Sequence, residues 1–305
     1  RSSTLSLEAN MALWKQYLKP STVEDALGVL CAEPAHSAVI AGGTDLLLDL
    51  QQGRHTPVNT LVDLNQIPEM TVIQEQDDFI HIGAAVPLHK IVIDASIQYH
   101  AQGVAEACEL IGGPQVRNVA TLGGNVGHAL PAGDGTIALI SLNAEAQLAS
   151  SEGRKWVPVE MLFEGPGRPS FDRSREIIVS FRFPLRGEGE GSAFMRVMRP
   201  QGIAIAILNM GIWLRRGKGG LIEDIHIAVG PAGPRPLRAQ KMEAVLRGKS
   251  FEYATTQNAI HPFMQEVKLR TSPHRSTKAY RELILPALFK RTITEAWERA
   301  DRQLQ

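Results

Sequence analysis

Two adjacent-glycine loops, about eighty residues apart, are the places where this chain could do chemistry: Ala41-Gly42-Gly43-Thr44-Asp45 and Thr121-Leu122-Gly123-Gly124-Asn125. A glycine pair turns sharply and lets backbone N–H groups approach a ligand with no Cβ in the way. Successive N–H groups aimed into one concavity form an anion nest. Two such nests are suited to clamp the two phosphates of a dinucleotide from opposite sides. Neither loop is a Walker A motif, since no Gly-Lys-Ser/Thr follows, and neither is a GxGxxG fingerprint. Taken singly each loop reads as a tight turn; their pairing and setting carry the nucleotide reading.

The elements that position these loops follow from pattern. Pro20-Ser21-Thr22-Val23-Glu24 signals a helix start, with Ser21 or Thr22 as cap and Glu24 placed for a capping box with Ser21. Ala38-Val39-Ile40 reads as a short buried strand feeding the first loop, and Leu46–Leu50 as a helix capped by Thr44 or Asp45. A helix N-terminus there adds its positive dipole to the nest. Asp45 is expected to serve as that cap and face away from the phosphates. Leu61–Leu64 is a second strand. Thr71–Ile73 and Phe79–Gly83 alternate as a hairpin across a polar Gln74–Asp78 turn. Ala101–Ile111 is helical and stops at Gly112-Gly113-Pro114. The second loop follows, then a strand over Glu145–Ala149 and a charged turn over Glu152–Lys155.

Phe183–Gly191, rich in proline, glycine and charge, reads as a linker between two domains. Beyond it Ile203–Leu214 and Leu221–Val229 are β-rich around an ordinary Gly217–Gly220 turn, and the chain from about Lys241 is helical. The Lys/Arg-dense stretch Lys290–Arg302 reads as a solvated helix face.

Composition narrows the function classes. Lys+Arg and Asp+Glu are balanced at 32 each, which leaves no electrostatic footprint for nucleic acid or an anionic membrane. No apolar run reaches the ~20 residues of a membrane span. Two cysteines, Cys31 and Cys108, cannot ligate an iron–sulfur cluster or zinc from this chain alone, and read as two core thiols, with a disulfide between them as the alternative. The nine histidines show no HxH or HExxH spacing, so no metal ligand is assigned. Residues 1–10 read as a remnant ahead of a natural start at Met11, and the cytoplasm is the default location.

The run Val116-Arg117-Asn118-Val119-Ala120-Thr121-Leu122-Gly123-Gly124-Asn125-Val126, continued to Pro131-Ala132-Gly133-Asp134, resembles the FAD-binding medium subunit of the molybdenum hydroxylases, as does Ala41–Asp45. These are the xanthine dehydrogenase and carbon monoxide dehydrogenase enzymes. Ser192–Arg196, Ala228–Pro231 with Pro236–Ala239, and Ala279-Tyr280-Arg281 resemble that subunit's C-terminal domain. The resemblance runs from about Leu13 to Thr292.

It implies an α+β fold: a two-lobed FAD-binding domain of the PCMH type over 11–186, a smaller domain over 190–292 with a three-stranded antiparallel sheet and helices, and a helical tail over 293–305. It implies noncovalent FAD, with Val39, Ile40, Ala41, Gly42, Gly43, Thr44, Asp45 and Leu46 around the pyrophosphate. Thr121, Gly123, Gly124 and Asn125 form the other half of the clamp, with a Cβ at Gly124 expected to intrude where the backbone meets the phosphates and to conflict with the backbone dihedrals. Asp134 accepts from a sugar or ribityl hydroxyl, Ile111 and Ile178 give apolar contacts, and Met195 and Arg196 lie near the flavin. No catalytic acid or base is implied, because the isoalloxazine carries the chemistry.

The resemblance further implies two partners: a small subunit with [2Fe-2S] clusters and a large subunit with molybdopterin, assembled as a dimer of heterotrimers. Electrons arrive from the clusters and leave to NAD or another acceptor. Met195 departs from a position often held by lysine, with Arg196 beside it as a substitute charge. Gly202-Ile203 stands where relatives often have an acid. The cysteine-bound [4Fe-4S] insertion of the hydroxybenzoyl-CoA reductase type does not fit a chain with two cysteines. His128 reads as a packed or surface residue rather than a covalent flavin link, and Arg117 as structural or a subunit contact. Two rival readings are a self-sufficient FAD oxidoreductase with its own substrate site, and a non-redox nucleotide-phosphate module.

Overall fold

The structure, a computed structural model, describes residues 12–199, 205–255, 257–273 and 275–301. Met11 and the residues before it, Gly202-Ile203, and the tail beyond 301 lie outside the described residues.

The first lobe is a small parallel sheet with two helices. Strand β1 (Gln16–Leu18) leads to α1 (Val23–Ala32), β2 (Ser37–Ile40), α2 (Leu46–Gln51) and β3 (Thr60–Asp63), in spatial order β1-β3-β2. Thr22 is the α1 cap: its hydroxyl accepts from Asp25 N at 3.1 Å. Glu24 does not close a capping box; its carboxylate meets Arg154, 2.9 Å away on the second lobe. Ile40, Leu50, Val58 and Leu61 form this lobe's own small core beneath the first glycine loop.

The second lobe is a five-stranded antiparallel sheet backed by helices. Strands β4 (Ile73–Gln76) and β5 (Phe79–Gly83) form its first hairpin. The turn is only Asp77-Asp78, both at positive φ (50° and 64°), so β4 runs through residues expected in the turn. Two-residue hairpin loops favour this left-handed backbone, which Asp tolerates better than most residues. Six helices follow: α3 (Leu88–Ile93), α4 (Ala95–His100), α5 (Gln102–Leu110), α6 (Pro114–Arg117), α7 (Leu122–Gly127) and α8 (Asp134–Ser141). Then come β6 (Glu145–Ser150), β7 (Gly153–Pro158), the small pair β8 (Phe163–Gly165) and β9 (Arg168–Pro169), and β10 (Ile177–Pro184). The sheet order is β4-β5-β10-β6-β7. The charged turn expected at Glu152–Lys155 is tighter, with β7 already under way at Gly153.

The linker is shorter than composition suggests, because Phe183 is a fully buried core residue of β10. After it come β11 (Glu190–Met198), β12 (Ala206–Arg216), β13 (Ile222–Gly230) and β14 (Leu237–Arg238), an antiparallel sheet in chain order. Three strands are long, as expected, and the fourth has two residues. Helices α9 (Gln240–Leu246), α10 (Phe251–Ala254), α11 (Gln257–Glu266) and α12 (Lys278–Asp301) complete this half.

Residues 293–301 are not a separate tail. They continue α12, with Ile293, Ala296 and Ala300 in the core. Nor is the basic face there solvated throughout. The Arg299 side chain is 7 % exposed, donating to Ser192 O at 2.7 Å and pairing with Glu106 of α5. Glu106 also accepts from Phe194 N at 2.9 Å. A Cβ on Gly191 would stand 2.2 Å from Ala296 O, so α12 lies directly on the β11 backbone. The Glu106 contacts with Arg299 and Phe194 join the first half of the chain to the second.

Candidate functional site

The two glycine loops meet. A Cβ at Gly42 would lie 2.4 Å from Val119 O and 2.6 Å from Ala120 Cα, the residues that lead into the second loop. Gly43 has φ +67°, a backbone that L side chains rarely adopt. In the second loop Gly123 donates to Ala84 O at 3.0 Å, and a Cβ there would stand 2.5 Å from that oxygen. Thr121 caps α7 by accepting from Gly124 N at 3.0 Å. Leu88 N, donating to Ala120 O at 2.9 Å, ties the segment just before Thr121 to the start of α3.

Gly124 differs from expectation in its backbone alone. It is helical, and a Cβ on it would meet only its own cap, Thr121 Oγ1, at 3.3 Å. Its backbone does not exclude a side chain; whatever excludes one must come from outside the chain. Asp45 departs as well. It occupies the α2 cap position in a right-handed backbone and its side chain makes no cap bond.

Between the lobes lies a cleft of about 450 Å³, within the ~300–1,000 Å³ of cofactor sites. Val39, Ile40, Ala41, Gly42, Gly43, Thr44, Asp45 and Leu46 line it from one side, and Thr121, Gly123, Gly124 and Asn125 from the other. Ile111 and Ile178 line it too. His128 lies on the wall, as do residues that sequence reasoning missed: Phe171, Arg173 and His55. Arg173 arrives from the β9–β10 connection and donates to Gly127 O at the end of α7. It carries no local motif, so only the tertiary fold brings it here. Arg117 is structural, donating to Gly112 O at 2.9 Å.

Asp134, Met195 and Arg196 are not on the cleft wall. The Asp134 carboxylate pairs with Arg196 and accepts from Asn209 Nδ2 at 2.6 Å, so both its oxygens are engaged within the chain. Their side chains are 7 % and 4 % exposed, a buried ion pair between α8 and β11. Burial pushes the Asp134 pKa upward, with Arg196 and then Asn209 opposing it. Met195 packs against the second half's core. Asn125 does two jobs: it lines the cleft, and its Oδ1 accepts from Thr136 N at 3.1 Å, which fixes α8 against α7. The cysteines are both free; Cys108 is buried, but Cys31 is exposed rather than in the core. Among the described residues no cluster could hold a metal ion, and no helix is long and apolar enough to cross a membrane.

The donor chemistry fits a flavin dinucleotide. Both glycine loops line the cleft at the N-terminal ends of α2 and α7, where the helix dipoles suit a dianionic pyrophosphate, and in the second loop Gly123, Gly124 and Asn125 already donate to Ala84 O, Thr121 Oγ1 and Thr121 O. Isoleucine and phenylalanine walls suit a flat aromatic ring. FAD itself would supply the electron storage, and this chain the grip. An α+β fold whose two glycine loops meet at one interlobe cleft is the setting of a dinucleotide-cofactor protein.

Comparison with known proteins gives the family. Residues 10–186 match the FAD binding domain in molybdopterin dehydrogenase, and residues 192–296 the CO dehydrogenase flavoprotein C-terminal domain. The chain is 29 % identical over 291 residues to the xanthine dehydrogenase FAD-binding subunit of Escherichia coli O157:H7, covering 95 % of this chain and 98 % of that one. It is 30 % identical over 285 residues to the nicotine 6-hydroxylase medium subunit of Paenarthrobacter nicotinovorans, covering 93 % and 98 %. A solved carbon monoxide dehydrogenase from Hydrogenophaga pseudoflava superposes with TM-score 0.86 at 28 % identity, covering 93 % of this chain and 98 % of that chain. The chain belongs to the FAD-binding medium subunits of the xanthine dehydrogenase and carbon monoxide dehydrogenase family, which are oxidoreductase subunits.

Proposed function

We propose that this chain is the electron-transfer subunit of a molybdenum hydroxylase, holding FAD noncovalently between its two lobes. The observation that carries this is the meeting of the two glycine loops across one cleft, with Gly42 packed on the backbone just before Thr121. The residues from Val39 to Leu46, with Thr121, Gly123, Gly124, Asn125, Ile111 and Ile178, contact the cofactor. Asp134 and Arg196 act at one remove, fixing the α8 end of the site against the second half.

A large partner subunit with molybdopterin oxidises the substrate. A small partner subunit with [2Fe-2S] clusters carries the electrons here, and the flavin passes them to NAD or another acceptor. The assembly is a dimer of such heterotrimers, in the cytoplasm. Similarity to named xanthine dehydrogenase, carbon monoxide dehydrogenase and nicotine hydroxylase medium subunits supports this reading.

The test is flavin stoichiometry and release. The purified chain should carry about one FAD, all of it freed into the supernatant by acid, as expected where the cofactor is held by backbone donors alone. Flavin remaining on the precipitate rejects noncovalent binding, and a colourless chain that takes up no FAD rejects the reading. Affinity capture from the native organism should recover an iron–sulfur subunit and a larger molybdopterin subunit.

A further inference from the structure

One of the most heavily buried charges outside the cleft has no ion-pair partner among the described residues. Arg281, on the first turn of α12, is 1 % exposed and heads the fully buried side chains by size. Its Nε and Nη1 have no hydrogen-bond partner among the described residues. The charges that act on it are those of Arg275 and Arg270, which add to burial in pushing its pKa below the ordinary guanidinium range. Its place in the helix is also unfavourable. The first turn is the positive end of the helix dipole, where cations are disfavoured. A buried charge left unpaired is strongly destabilising.

The sequence around it deepens the imbalance. Val267–Arg281 contains Lys268, Arg270, Arg275, Lys278 and Arg281 and no acid, in a chain balanced overall at 32 of each sign. Glu282, next along, lies 3.5 Å from Lys278 and is taken. Residues 200–204, 256 and 274 contain no carboxylate side chain either. The loop that precedes α12 is drawn closed by Ser272 N donating to Ser276 O at 2.9 Å. Arg199, from the end of β11, donates Nη2 to Arg275 O at 3.0 Å and brings another guanidinium to the same loop.

We propose that Arg281, with Arg270 and Arg275, forms a binding site for a phosphate-type oxyanion at the start of α12. Guanidinium forks match such an anion in charge and geometry, and the helix end adds to both. None of these residues lines the interlobe cleft, so the site is separate from the one that holds the flavin nucleotide. The anion can be free phosphate or the phosphates of a nucleotide; the chemistry of recognition is shared.

Titration calorimetry on the FAD-loaded full chain, with inorganic pyrophosphate as probe, tests this. Arg275→Gln, at a partly exposed position, should fold and keep its flavin while weakening pyrophosphate binding about threefold, and Arg281→Met should weaken it about tenfold or more. In phosphate-free buffer Arg281→Met should melt no lower than wild type, because it removes an uncompensated charge; added pyrophosphate should reverse that order. NADH displacing pyrophosphate assigns the site to nucleotides, while displacement by inorganic phosphate and not NADH assigns it to the free ion. A wild-type chain that binds no pyrophosphate overturns the proposal. So does undiminished binding in both variants. Loss of flavin from the wild-type chain would bear on the cofactor cleft and leave the pyrophosphate result readable by itself.

Discussion

The first glycine loop turns by conformation and the second by capping, although both read Gly-Gly in the sequence. In the first, Gly42 lies on the Val119–Ala120 backbone and Gly43 takes a left-handed φ of +67°. In the second, Gly123 lies on Ala84 O, but Gly124 is simply the third residue of α7, held by the Thr121 hydroxyl. The leading glycine of each pair therefore serves the close approach of one backbone to another. The trailing glycines differ: one supplies a backbone shape, the other leaves room. The loops also differ in their moorings. Asn125 and, beyond it, Asp134 tie the second loop's helices to each other and to the second half. Asp45 gives the first loop no such anchor.

Each part of this contrast can be broken by substitution. The largest effects should come from the leading glycines. Gly42→Ala and Gly123→Ala place a Cβ 2.4 Å and 2.5 Å from carbonyl oxygens, and should lower the flavin-to-protein ratio of purified chain about tenfold through misplaced loops, overpacking of this kind costing ~1–3 kcal/mol or more. If either variant purifies with full flavin, the backbone-contact account is wrong.

Next is the mooring of the second loop. Asp134→Ala leaves Arg196 buried without its counter-charge and should cost about 3–5 kcal/mol in urea unfolding. The double change with Arg196→Ala should cost less than the sum of the two singles; strict additivity would show that the pair is not coupled.

Gly124→Val sharpens the contrast between trailing glycines. The variant should fold without a loss of helix propensity, since valine is a slightly better helix former than glycine, yet bind FAD about tenfold more weakly because its side chain enters cofactor space. Gly219→Ala, at a left-handed turn position far from the cleft residues, should lower stability and leave FAD affinity unchanged. Equal FAD affinity for Gly124→Val and wild type would remove the second loop from the clamp. The smallest effects separate the two candidate caps. Thr121→Ala should cost about 1 kcal/mol as a lost cap, whereas Asp45→Ala should fall within ~0.5 kcal/mol of wild type, both measured by thermal or urea denaturation.

Much of this was legible in the sequence because its signals are local. Thr22, the Ile40 strand end, the Gly112 helix stop and the paired loops each declare themselves within a few residues. What was not legible is what depends on distant neighbours. That Gly42 exists for Val119, and Gly123 for Ala84, is a statement about chain crossings that no window of sequence contains. The resemblance implies Asp134 as an acceptor from a sugar or ribityl hydroxyl, while the partners it has in the structure, Arg196 and Asn209, lie 62 and 75 residues away in sequence. Arg173 reaches the cleft from a surface connection with no pattern of its own. The basic stretch near the end of α12 reads as solvated for the same reason, since one of the two acids that Arg299 meets lies 193 residues upstream.

That last span bears on how the protein is made. Chains fold largely from the N-terminal side as they are synthesised, so the cofactor half is complete while α12 has yet to be translated. Until then Glu106 lacks the Arg299 guanidinium, and the strand at Gly191 lacks the helix that lies against it. Nascent chains would therefore present a finished flavin cleft beside an uncovered β11 edge. Insertion of the cofactor and closure of the second half become two separate events in time, with the final helix acting as the clasp.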